Sequence, residues 1–222
     1  MGSWSDQRKA AAGGILAMVL LVVGNFMSGQ PPKFGADAAA IAHYYSQHHR
    51  SILIGMILTG LAVPLYVWFV AHLALAIRGV WGASIALGGL LIAACAATGD
   101  ALTAAGAQAA HTGGDQNAMR LMYQLSTMAY SRLFWAGIAV AVPLAMAAAA
   151  GHLKPWVRWV AWAQGVLYLL GGIALKSAGF FSPTGGMAEI GYLAFFVGTA
   201  AVAYGMWQTE AATAPAAATS PA

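Results

Sequence analysis

Residues 36–56 read ADAAAIAHYYSQHHRSILIGM, a short polar segment crowded with His and Tyr that runs straight into a long apolar one. The reading of that edge decides the fold. If the apolar texture beyond it recurs along the chain, the edge is a membrane boundary. If it does not, the edge belongs to the core of a soluble domain. The texture recurs five more times.

Composition agrees with the membrane reading. Of the 222 residues, 60% are hydrophobic and 7% charged, against roughly 25% charged in an ordinary soluble domain. The mean hydropathy is +0.71. The ten cations behind the net charge of +4 are scattered without a basic block, which argues against a nucleic-acid partner. Cys95, the single cysteine, lies inside an apolar run, so no disulfide framework is built.

A polar start at residues 1–10 precedes six apolar runs: 11–27, 51–77, 80–99, 133–151, 156–175 and 190–207. These lengths bracket the roughly 17–25 residues that carry a helix across a bilayer. The first run, behind Arg8 and Lys9, also fits the charged start and short apolar core of a cleaved signal peptide. The residues after it, Ser28-Gly29-Gln30-Pro31-Pro32, lack a small-x-small cleavage pattern, so an uncleaved span is expected. Residues 208–222, rich in Ala, Thr, Pro and Ser, are expected to form a disordered tail. The fold class is all-α: a polytopic membrane bundle of six transmembrane helices.

Two connecting segments read as helical in their own right. Asp37 can cap a short amphipathic helix reaching Arg50, ahead of the span at 51–77, where Pro64 is expected to kink the chain. Between spans three and four, Ala-rich sequence carries the third helix to about Ala110, Gly113-Gly114 breaks it, and Asp115 can cap the next helix. Met119, Met122, Leu125 and Tyr130 recur there at near-helical spacing and predict its apolar face. An extended helical hairpin and a short outer helix would thus form a cap.

With the N-terminus cytoplasmic, Arg8, Lys9, Arg78, Lys154 and Arg158 fall inside, in very short connections or at the start. Lys33, Arg50, Arg120, Arg132 and Lys176 fall outside, accompanied by Asp37, Asp100, Asp115 and Glu189. Positive charge in short loops marks the cytoplasmic side. An even number of spans then puts both termini inside.

Three groups of residues could carry chemistry. His43, His48 and His49 suggest a metal, but on a helix they lie roughly 140° and 240° from the first and share no i, i+4 spacing. The competing reading is an interfacial helix laying Ile41, Tyr44, Tyr45 and His48 on the bundle. Arg50, Asp100, Arg132, Lys176 and Glu189 stand one at the outer end of each of spans two to six. They read as interfacial anchors, as an ion-pair network, or as a ligand pocket under the cap. Counting outward to Gly113 at about 1.5 Å per residue puts Asp100 and Arg132 at similar height. His72 and His152, near the inner ends of two spans, could in principle ligate a haem, although each more often satisfies backbone near an interface. The sequence has no phosphate-binding loop, nucleophile elbow or zinc-protease signature. No cofactor is expected, and a bound lipid suits the surface.

Ala40-Ile41-Ala42-His43-Tyr44-Tyr45, then His49-Arg50 and a span ending near Trp68-Phe69, resembles a family of small bacterial, mainly actinobacterial, membrane proteins similar to the DUF4386 group. Lys154-Pro155-Trp156 and Gly179-Phe180-Phe181-Ser182-Pro183 share the likeness, and the doubled histidine His48-His49 departs from it. The resemblance implies a six-helix protein of the bacterial plasma membrane and assigns no catalytic residue. Two function classes follow. One is a non-enzymatic accessory, assembly or scaffold component that binds another membrane protein or itself. The other is a small-molecule or lipid transporter, or a membrane enzyme, with an outward-facing polar pocket.

Overall fold

The structure, a computed structural model of the chain, describes residues 5–176 and 178–213. The described residues form six helices and no strand: α1 (Asp6–Met27), α2 (Ala38–Ile77), α3 (Gly79–His111), α4 (Gln116–Ala149), α5 (Pro155–Gly172) and α6 (Gly186–Thr213). Five of them are long and apolar enough to cross a membrane. The exception, α5, has 18 residues and carries Arg158 and Gln164 within its length. At about 1.5 Å per residue it still measures roughly 27 Å, close to a hydrocarbon core.

The helices stand in a ring in chain order. Each packs on the next, α6 closes back on α1, and α4 also leans on α2 across the middle. Arg8 near the start of α1 lies 6.0 Å from the Trp207 ring on α6, so the start of α1 and the last turns of α6 sit at the same end of the bundle. The main core runs through all six helices, with Phe69, Leu73, Ile85, Phe134, Leu144, Val157 and Met206 fully buried.

The segment between Asp37 and Ile77 is one helix of 40 residues, not a short outer helix followed by a span. Nothing at the Arg50–Ser51 edge can end it: no Gly or Pro lies there, and Ser51 Oγ donates to His48 O at 2.9 Å. The helix also passes through Pro64. Asp37 caps its start by accepting from Ala40 N at 2.7 Å, and Asp115 caps α4 by accepting from Ala118 N at 2.9 Å. At the far end, α6 continues through Thr213, past the start of the expected tail at 208. Residues 214–222 of that tail lie outside the described residues.

Helices α2, α3 and α4 enclose a second core at the end of the bundle away from Arg8 and Trp207, and this end is called the outer end. Ile41, Tyr44, Tyr45 and Ile52 meet Ala107 of α3 and Met119 and Tyr123 of α4. The buried face of α4 here runs through Met119, Tyr123, Ser126 and Thr127. Leu125, expected on that face, is 48% exposed, and Leu121 is exposed beside it. The face turns because Tyr123 is the residue that fills the space, edge-on to Tyr45 at 6.4 Å.

Candidate functional site

The outer end of the ring is drawn together by tyrosine hydroxyls. Residues 28–36 link α1 to α2 without helix, leaving backbone carbonyls that need donors. Tyr44 Oη donates to Ser28 O at 2.8 Å, and Tyr123 Oη donates to Pro32 O. Phe34 N donates to Thr184 Oγ1 at 2.9 Å, which ties the same loop to the α5–α6 connection. The loop therefore lies across the bundle as a strap held at three points.

Beneath it stands Asp100, half-buried on α3. Its Oδ1 accepts from Tyr130 Oη of α4 at 2.5 Å, a charge-assisted bond. Gly99 makes this possible: a Cβ there would lie 2.6 Å from the Tyr130 ring, so only glycine lets the ring lie against α3. Thr59 of α2, 1% exposed, brings a third helix to the carboxylate. Thr103, one turn further along α3, donates to Gly99 O at 2.9 Å.

The other four residues of the expected network go elsewhere. Arg50, Arg132, Lys176 and Glu189 are all exposed, and among the described residues no ion pair joins any of them to Asp100. Height did not decide the Asp100–Arg132 pairing; azimuth did. Two residues along a helix is a rotation of about 200°, so an α4 that presents Tyr130 to α3 turns Arg132 away. Glu189 sits in the first turn of α6, where a carboxylate suits the helix dipole.

The histidines are dispersed. His43 is exposed, and His48 faces Tyr44 O at 3.1 Å while lying over Gly29. His49 stacks on His111 of α3 with ring centroids 4.4 Å apart and an interplanar angle of 13°, its Nε2 3.4 Å from Gln108 Oε1. Among the described residues no three His, Cys, Asp or Glu side chains converge as a metal site. His72 faces Trp68 O at 3.0 Å, and His152 is exposed in the α4–α5 turn.

The composition-led reading passed over three partners. Tyr130 carried no charge to draw attention, although the Gly99-Asp100 dipeptide opposite it was a local signal. His111 lies 62 positions from His49 in sequence, and only the α2–α3 packing brings them together. Gln164 was the legible one: a lone amide in the middle of α5, in an otherwise apolar stretch of that helix. Comparison with protein-family models, curated proteins and solved structures returns no match.

Proposed function

We propose that this chain is a six-span protein of the bacterial plasma membrane, with both termini cytoplasmic, acting as a non-enzymatic accessory, assembly or scaffold component of a membrane complex. The observation that carries the reading is the outer core of α2, α3 and α4. Helices of 40, 33 and 34 residues measure about 50–60 Å, against a hydrocarbon core of about 30 Å. They supply a three-helix turret that rises past the membrane with its own packed interior. A tall, rigid projection that leaves Leu121 and Leu125 exposed suits another membrane protein or a second copy of the chain. Arg8, Lys9, Arg78, Lys154 and Arg158 support the orientation.

Purification from native membranes in mild detergent tests it. A photo-crosslinking residue at Leu121 or Leu125 should capture one partner in stoichiometric yield, while one at the lipid-facing Leu87 should not. A monodisperse monomer with no adduct from either turret position would overturn the reading. The second reading, a carrier coupled to a proton or cation, is favoured by one observation: the Asp100 carboxylate bonded to Tyr130 under the strap. A carbodiimide that modifies Asp100 in native membranes, with Asp100→Asn abolishing the adduct, would support that carrier.

A further inference from the structure

At the centre of the ring, where α2 faces α5 and α6, lies a cavity of about 30 Å³. Its lining is mostly apolar, but four polar side chains reach it: Tyr66, Gln164, Tyr168 and Thr199. They are 5%, 7%, 3% and 8% exposed. Polar groups this deep in a membrane bundle need partners, because the surrounding hydrocarbon offers none.

The hydrogen-bond inventory is incomplete on the cavity side. Gln164 Nε2 donates to Tyr168 Oη at 2.8 Å and to Ala194 O at 3.2 Å, which uses both of its hydrogens. Its Oε1 accepts from no described residue. Tyr66 Oη likewise has no hydrogen-bond partner among the described residues, and the Tyr66 side chain lines the cavity. The backbone is cut to fit these side chains. A Cβ on Gly198 would lie 2.3 Å from the Gln164 amide, and one on Gly137 would lie 2.6 Å from the Tyr168 ring. Two helices thus give up side chains so that an amide and a phenol can meet at mid-membrane.

We propose that this cavity is an internal water-binding site, in which one or two waters bridge Tyr66 of α2 to Gln164 of α5 and so complete the ring across its centre. Size and chemistry both select water. A buried site needs roughly 10–15 Å³ of free space and two to four polar partners to hold one water, whereas apolar cavities of greater volume stay dry. Tyr66 offers a donor, Gln164 Oε1 an acceptor, and the Tyr168 and Thr199 hydroxyls can turn to serve either. No carboxylate lines the space, so a dehydrated cation has no counter-charge there.

Tyr45 supplies the internal control. It is the other buried tyrosine among the described residues whose hydroxyl has no hydrogen-bond partner, but that hydroxyl is sealed against Gly106, away from the lining of the central cavity. The test uses the full chain with ¹³C-labelled tyrosine in lipid bilayers, and Tyr66→Phe and Tyr45→Phe assign the two signals. Polarisation transferred from water should reach the Tyr66 ring within milliseconds and leave Tyr45 dark. Tyr66→Phe should lower Tm by about 2–4 °C, while Tyr45→Phe leaves it level or raises it. If Tyr66→Phe does not fold, the same transfer read at the Gln164 side-chain carbonyl in glutamine-labelled protein replaces it. A Tyr66 or Gln164 signal as dark as Tyr45, or a Tyr66→Phe variant more stable than wild type, overturns the proposal.

Discussion

Single side chains in this protein are positioned by what their neighbours leave out. Gly99 leaves out a Cβ, and Tyr130 fills the gap to reach Asp100. Tyr130→Phe should therefore cost about 1–3 kcal/mol, because it strips a half-buried carboxylate of its donor. Thermal unfolding in detergent measures that loss, and an unchanged Tm would show that water serves Asp100 equally well. Arg78 is the opposite case, a residue set against its surroundings. It holds φ 59° and ψ 178° at the α2–α3 turn, the one described non-glycine residue with positive φ. That region is close to glycine-only and costs about 1–3 kcal/mol. Arg78→Gly should raise stability by about 1 kcal/mol, seen as a higher Tm, and a lower Tm would mean the guanidinium holds something that outweighs the strain. Asp100 was legible as a charge at a span end. Its partner was not, since spacing along α3 says nothing about which face of α4 turns toward it.

The caps and breaks of whole elements were the most legible part of the chain. Asp37 and Asp115 mark the starts of α2 and α4, and Gly113-Gly114 marks the turn between α3 and α4. Asp37→Ala and Asp115→Ala should each cost about 1 kcal/mol, with hydrogen exchange rising only in the first turn of the affected helix. Exchange spreading beyond that turn would mean the turret unfolds as a unit. The strap gives a sharper test. Tyr123→Phe removes its bond to Pro32 and keeps the ring in the outer core, so about 1 kcal/mol should be lost and exchange should rise at residues 28–36. If those residues stay protected, the Tyr44 and Thr184 contacts hold the strap alone. The expected break between a short outer helix and the next helix at residue 50 does not occur, for a simple reason. Composition changes there, but backbone hydrogen bonding does not, and a helix has no cause to stop where its surroundings do.

Topology is the property that tests the assembled ring. With Cys95 replaced by Ser, a single cysteine at Gly113 should react in intact cells with a maleimide that cannot cross membranes, and one at Gly151 should not. The reverse pattern would invert the proposed orientation. Taken alone, the order of the residues determined the all-helical membrane class, the caps and the turns. Those properties follow from local rules: hydropathy over about 20 residues, a capping oxygen, a glycine. Packing alone decided that Asp100 meets Tyr130 and not Arg132, that His49 meets His111, and that Tyr66 and Gln164 share a cavity. The edge at residues 36–56 divides the same way. Its helical character lay in the sequence, while its place in the outer core depended on how α2 rotates against α3 and α4, an angle no single helix carries.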